Sequence, residues 1–199
     1  NVGFGGSEAG DAICDVLFGD KVPSGKLTAS WPKNMGQIPI YYNHLPTGRP
    51  LEEGKWFTKF RSNYLDVDND PLYPFGYGLS YTTFQYGKPS LSATAMSLNG
   101  GQLTVTVPVT NTGKYDADEI VQLYVHDVVG SVSRPVKELK GFERVSLKQG
   151  ETKNVTFTLK ADDLKFYNQQ LEYKNEPGDF EVMVGPNSRD VQTMKFTLQ

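Results

Sequence analysis

One cysteine and two histidines among 199 residues leave little material for a transition-metal centre, and Cys14 has no second cysteine with which to form an internal disulfide. No metal and no cofactor is therefore expected, and the redox state of the compartment is not written in the chain. A formal charge of -3 lacks the basic excess that a nucleic-acid binder needs. No apolar run approaches the roughly 20 residues that cross a bilayer. Neither a nucleic acid nor a membrane is therefore expected as a partner. No basic stretch followed by an apolar run opens the chain, an absence with little weight because the chain does not read as a complete protein. What remains is ordinary globular material, with 38% hydrophobic, 12% aromatic and 22% charged residues. The length suits one large domain, or a small domain with an additional piece.

The chain divides into three textures. In residues 1–46, Ser7 is a good N-cap, Ala9, Ala12, Ile13, Val16 and Leu17 carry helical apolar spacing, and Gly19 ends the run. A helix of about 12 residues is marginal alone and needs a body to pack on. It reads as the last element of a domain whose remainder lies outside this sequence. After the turn Pro23-Ser24-Gly25, residues Lys26 to Trp31 are expected as a short strand. Residues 47–88 form a long connector rich in Tyr, Phe, Gly and Pro, of the kind that carries function or lies along a domain interface.

From about residue 89 a period of two takes over. Leu103, Val105, Val107 and Val109 share one face. Val121, Leu123 and Val125 oppose Ile120, Gln122, Tyr124 and His126. Leu139, Phe142, Val145 and Leu147 follow, then Val155, Phe157 and Leu159, then Phe180, Val182 and Val184, with "VQTMKFTLQ" closing the chain. Turn signals at Asn111-Thr112-Gly113, Gln149-Gly150, Pro177-Gly178 and Gly185-Pro186-Asn187 separate the runs. Six or seven short strands in about 110 residues predict a mainly β fold, an antiparallel sandwich of immunoglobulin-like architecture held by apolar burial alone. "ADDLKFYN" is expected to cross between the sheets as a helical turn plugged by Leu164, Phe166 and Tyr167.

Few motifs survive scrutiny. Gly3-x-Gly5 lacks the third glycine of a dinucleotide fingerprint, since Glu8 stands there. "GDKVPSGKLT" misses the spacing of a phosphate loop and has Leu27 where Ser or Thr is required. Asp66, Asp68 and Asp70 start like a calcium loop, but Pro71 and Tyr77 occupy its glycine and glutamate positions, so a solvated turn is expected. His44 and His126 have no nucleophile at motif spacing, and His126 reads as a half-buried strand residue. Glu52, Glu53, Asp66, Asp68 and Asp70 supply carboxylates, yet nothing in a loop fixes their separation as paired sugar-hydrolysing acids require. The glycosylation sequon Asn154-Val155-Thr156 lies within a strand. Tyr41, Tyr42, Trp56, Phe57, Tyr64, Tyr73, Phe75, Tyr77 and Tyr81 suit either stacking on sugar rings or packing between domains. Packing is the reading for Tyr73 to Tyr81, and both readings stand for Tyr41 to Tyr64.

Four blocks in order, "SEAGDAICDVLFGDKVPSGKLTASWPKNMGQIPIYY", "GRP", "LYPFGYGLSYTTF" and "SRPVKELKGFERVSLKQGE", resemble the C-terminal part of glycoside hydrolase family 3 β-glucosidases of the bacterial periplasmic type. One departure lies at the start, where Gly3 and Phe4 precede Gly5-Gly6 in place of the family's Trp. The resemblance implies a barrel carrying an aspartate nucleophile, then an α/β sandwich carrying a glutamate acid/base, then a fibronectin type III-like domain. Residues 1–46 would be the C-terminal fragment of the α/β sandwich domain, 47–88 an inter-domain linker including the junction segment "YPFGYGLSY", and 89–199 the fibronectin type III-like β-sandwich. Neither catalytic carboxylate falls in this chain, Glu8 included, so the chain alone is expected to be inactive. It would serve as scaffold of a retaining enzyme that removes terminal β-D-glucosyl residues, in the periplasm or secreted. Its expected partners are a β-linked oligosaccharide, held through the missing domains, and its own upstream domains, with a homodimer as a candidate assembly. Candidate substrate-binding residues are Tyr41, Tyr42, Arg49 and Arg134, on the loops Tyr41 to Arg49 and Val128 to Pro135. The alternative is a non-catalytic glycan-binding or interaction module.

Overall fold

The structure, a computed structural model, describes residues 2–51 and 55–199. Helix α1 (Ala9–Phe18) forms on the expected apolar spacing and ends at Gly19, whose φ of 86° closes a bond from its N–H to Val16 O. Its N-cap is Glu8 without a side-chain cap bond, not Ser7. The entering chain turns so that Ala9 N–H reaches Gly6 O at 3.1 Å, which leaves Ser7 inside the turn. No residue of α1 is buried.

The strand expected at Lys26 to Trp31 shrinks to an irregular pairing with the connector. Leu27 N–H donates to Tyr77 O at 2.8 Å and Trp31 N–H to Tyr73 O at 2.8 Å, but only Trp31 forms a β-bridge, with Tyr73. Pro32 on one side and Pro71 and Pro74 on the other have no N–H to extend the ladder. A 3-10 turn at Met35–Gln37 follows.

The rest is strands: β1 (Phe84–Tyr86), β2 (Ser90–Leu91), β3 (Ala95–Met96), β4 (Gln102–Asn111), β5 (Ala117–Asp127), β6 (Glu138–Leu147), β7 (Thr152–Lys160), β8 (Phe166–Tyr167), β9 (Tyr173–Lys174), β10 (Gly178–Gly185) and β11 (Gln192–Leu198). In the first sheet β4 pairs with β7 along one edge and with β1 and β2 along the other. The second sheet runs β3-β11-β10-β5-β6, antiparallel except for the pair β3 and β11. A small hairpin joins β8 to β9. The mainly β, sandwich-type fold read from the sequence is the one observed.

Between the sheets lie the expected inward faces, with Val105, Val107, Val109, Val121, Val182 and Val184 all fully buried and Phe180 stacked on Phe196 at 5.4 Å. Each such side chain contributes about 1.5–3 kcal/mol of burial. Asn111 closes the β4 turn from inside. Its Oδ1 accepts from Thr82 and Gly113, and its Nδ2 donates to the carbonyls of Tyr115 and Leu147, so every polar valence of the buried amide is satisfied. Leu164 and Phe166 plug the crossing as expected, but Tyr167 does not. It is 65% exposed and leans on Tyr173 outside the core, because alternation along β8 sends Phe166 inward and its neighbour out.

β5 departs from simple alternation. Its second face, Gln122 and Tyr124, is also buried, because the connector lies across it.

Candidate functional site

The connector is fastened to the sandwich at defined points. Tyr42 stacks on Phe75 with centroids 4.3 Å apart, meets Tyr124 edge-on at 5.7 Å, and its hydroxyl accepts from Leu139 N–H at 3.2 Å. That amide lies at a break in register between β5 and β6, where Leu123 faces Gly141 and Tyr124 faces Leu139. Gln122 donates to Gly76 O at 3.1 Å and to Pro186 O at 2.7 Å, while Tyr124 donates its hydroxyl proton to Gln122 Oε1. Burial pushes the Tyr124 phenol well above its ordinary range. Ser188 N–H donates to Phe75 O and Val136 N–H to His44 O.

A partly buried ion pair adds a further fastening. Lys26 Nζ lies 3.1 and 3.2 Å from the two oxygens of Glu119, and Tyr86 donates to the same carboxylate at 2.7 Å. Burial first, and the Glu119 charge second, drive the Tyr86 phenol far upward.

Where the segment before the connector meets it, Gln37 is the hub. Fully buried, it accepts from Lys33 N–H at 2.6 Å and donates to the carbonyls of Asp68 and Asp70 at 2.9 and 3.0 Å. Lys33 Nζ pairs with Asp68 at 2.7 Å. The Asp66 to Asp70 stretch is thus a turn strapped to Gln37, and only in part the solvated turn expected.

Three hollows flank these fastenings. The largest, about 1030 Å³ and mostly apolar, lies between α1 and the segment around Leu27, Trp31, Tyr73, Tyr77 and Leu79. A second, about 320 Å³, lies beside Glu119. The third, about 420 Å³, opens between the loops 40–51 and 62–74 on one side and Val136, Lys137, Ser188 and Arg189 of the sandwich on the other.

Tyr41 and Tyr42 both line this third cleft, Tyr41 with 53% of its surface exposed and Tyr42 held in the wall. Arg49 stands between the lining residues Thr47 and Pro50, and its carbonyl accepts from Ser62 N–H at 2.9 Å. Arg134 is not among the lining residues. It lies over the Phe166 ring at 4.3 Å, donates to Glu138 at 2.8 Å, and approaches Asp127 at 3.8 Å. Burial raises the Asp127 carboxyl despite that arginine. Of the four candidates, Tyr41 and Tyr42 line the cleft, Arg49 stands in the chain beside its lining residues, and Arg134 has a position within the sandwich. Lys137 and Arg189, which complete the cleft, carry no local signal, because strands and loops distant in sequence bring them there.

Each hollow is lined by one carboxylate among the described residues: Glu8, Glu119 and Asp70 in turn. Glu52 and Glu53 lie outside the described residues. Double-displacement sugar hydrolysis needs two carboxyl groups about 5 Å apart across the scissile bond. No group of three or more His, Cys, Asp or Glu side chains among the described residues is arranged to hold a metal. His126 sits beside Glu181 of the neighbouring strand at 3.3 Å, a strand contact as expected.

Residues 1–81 match the glycosyl hydrolase family 3 C-terminal domain, and residues 119–188 the fibronectin type III-like domain. The chain is 52% identical over 195 residues to the periplasmic beta-glucosidase of Salmonella typhimurium, covering 98% of itself and 25% of that protein. It is 47% identical to a beta-xylosidase of Formosa agariphila, covering 98% of itself and 26% of that protein. Among solved structures, the beta-glucosidase of Listeria innocua in complex with gluconolactone superimposes with a TM-score of 0.91 at 47% identity, covering 98% of this chain and 27% of that one. The chain thus spans about a quarter of the length of the relatives it matches.

Proposed function

Because this chain belongs to glycosyl hydrolase family 3, joining that family's C-terminal domain to a fibronectin type III-like domain, we propose that it is the C-terminal scaffold of a retaining β-glucosidase. The observation that carries this reading is the alignment of 98% of the chain with one quarter of a periplasmic beta-glucosidase. The remaining three quarters of such an enzyme supply room for a catalytic carboxylate pair, which the described lining of these hollows does not contain. Residues 1–46 are the tail of an α/β sandwich domain, 47–88 the linker, and 89–199 the fibronectin type III-like unit. The parent acts in the periplasm or outside the cell, its upstream domains resting on the apolar hollow beside α1. Tyr41, Tyr42 and Arg49 form a rim that meets the saccharide, and Arg134 braces the loop behind it. A homodimer is compatible with the exposed sheet edges of the sandwich.

Assaying the chain alone, and the parent enzyme, with chromogenic β-glucoside and β-xyloside tests this. No turnover by the chain and preferential release from the β-glucoside by the parent are expected. Hydrolysis by the chain alone overturns the scaffold reading, and a preference for the xyloside overturns the glucosidase assignment.

A further inference from the structure

We infer that the outer edge of β7 is an interface between two copies of this chain, their β7 strands pairing antiparallel about a two-fold axis through Thr156. The inference rests on the candidate homodimer of the proposed function and names the edge that forms it.

Among the described residues β7 pairs with β4 alone, so one side of this nine-residue strand is left open. Which backbone groups lie on that side follows from the ladder. Asn111 N–H donates to Glu151 O at 3.0 Å and Ala161 N–H to Gly101 O at 2.9 Å, so the odd-numbered residues turn their N–H and C=O toward β4. The even-numbered Thr152, Asn154, Thr156 and Thr158 therefore point theirs at the open edge. Lys160 N–H lies on that side too, but Asp163 already accepts from it at 2.8 Å.

Such a row of groups is a template for another strand unless the sequence guards it. The other edges are guarded. β1, β2 and β3 span only three, two and two residues. β6 carries Glu138, Lys140, Glu143 and Arg144 together with the break in register. β11 is covered by β3 at one end, and at the other Gln192 reaches the carbonyls of Tyr86 and Gly87. Residues 154–159 of β7 hold no charge, proline or glycine, and their register against β4 has no shift.

The strand is also complementary to itself. Thr156 is its midpoint, and an antiparallel pair centred there sets Thr156 opposite Thr156 and Asn154 opposite Thr158. All of these point outward, so each pair can exchange both N–H···O bonds. A slip by one residue would set outward groups against inward ones and lose every bond. In the centred register Val155 faces Phe157 of the second copy and Lys153 faces Leu159, so no like charges oppose. The hydroxyls of Thr152 and Thr156 bond Thr110 and Thr106 across the ladder at 2.8 and 3.3 Å, so the edge is ordered before it pairs. Pairing uses up the open edge of both strands, and the assembly closes at two.

Sedimentation equilibrium of the 199-residue chain tests this. The mass is expected to rise from monomer to dimer, and no further, between about 1 µM and about 1 mM, the weak range that suits an interface below about 1,200 Å². Thr156→Lys sets two ammonium groups against each other on the axis and should weaken the dimer about fivefold or more with an unchanged Tm. Thr156→Pro removes an N–H that β4 does not use and should abolish it. Gln85→Lys, on β1 at the opposite side of β4, should leave it unchanged. In a Cys14→Ala background, Thr156→Cys should cross-link to itself with oxidised glutathione, because opposed Cα atoms of a hydrogen-bonded pair lie about 5.5 Å apart, within disulfide reach. Asn154→Cys, displaced from the axis, should not. A chain that stays monomeric to about 1 mM, the top of that weak range, overturns the edge and the homodimer together. A dimer unmoved by Thr156→Lys and Thr156→Pro, or one in which Asn154→Cys cross-links as readily as Thr156→Cys, overturns the edge and leaves the homodimer standing. Growth beyond two copies overturns the two-fold pairing. None of these readouts depends on glycoside hydrolysis, so the scaffold reading stands or falls separately.

Discussion

Gly76 has a φ of +78°, and a Cβ built on it would lie 1.9 Å from Gln122 Oε1. Two penalties therefore coincide at one atom. The left-handed backbone costs an alanine about 1–2 kcal/mol by itself. The clash then displaces Gln122, whose amide ties the connector to Pro186 and accepts from Tyr124. Gly76→Ala is expected to destabilise by about 3 kcal/mol or more, lowering the denaturant midpoint, since unpairing buried polar groups adds about 1–3 kcal/mol to the backbone term. A loss under about 1 kcal/mol, no more than the left-handed conformation alone explains, would mean the fastening is loose. Tyr86 gives a second prediction at this scale. Its folded-state phenol is raised above its ordinary value of 10.0, so it contributes stability that is fully present below pH 10 and is lost as pH climbs beyond it. Tyr86→Phe should be less stable than wild type at pH 8, and its stability should fall less steeply between pH 10 and 11. Parallel stability profiles for the two proteins above pH 10 would contradict the buried phenol–carboxylate contact.

At the scale of elements, what could be read in advance depended on where the burying partner lies. The inward faces of β4, β7 and β10 were legible because alternation is local, and a valine every second residue reports the core directly. The second face of β5 was not legible. Gln122 and Tyr124 look like solvent-side residues, and what meets them, Gly76 on Gln122 and Tyr42 on Tyr124, lies 46 and 82 residues earlier in the chain. The same limit applies to the connector. Its prolines and glycines announce irregularity, but the residue that organises it, Gln37, is a lone glutamine whose partners at Asp68 and Asp70 are backbone carbonyls. Backbone acceptors are identical at every position, so no side-chain pattern marks them. The cleft was half readable on similar grounds. Tyr41 and Tyr42 are adjacent in the chain, whereas Lys137 and Arg189 enter from the sandwich side. Tyr167 shows the converse error, an aromatic credited to the core that the pleat turns outward.

Across the whole molecule, anchoring falls off from the sandwich toward α1. The sandwich has an apolar core, and the connector and the segment before it are tied down through Gln37, Gln122, Tyr42 and the Lys26–Glu119 pair. Helix α1 has no buried residue, and its Leu17 and Phe18 are 71% and 81% exposed. Its described tethers include the bond from the Tyr81 hydroxyl to Val16 O. Ten residues with so little tertiary support are close to the limit at which a helix persists in water. Under the proposed function, the parent enzyme supplies a body that covers both the helix and the apolar hollow beside it. Hydrogen exchange distinguishes this from a self-sufficient helix. In the chain alone, amides of Ala12 to Phe18 should exchange at least about a hundredfold faster than those of β4, β5 and β10, the contrast expected between local fraying and global opening. In the parent enzyme they should slow toward the strand rates while the strands change little. Protection of α1 equal to that of β5 in the chain alone would show that the helix needs no covering body, and the apolar hollow would then need another explanation.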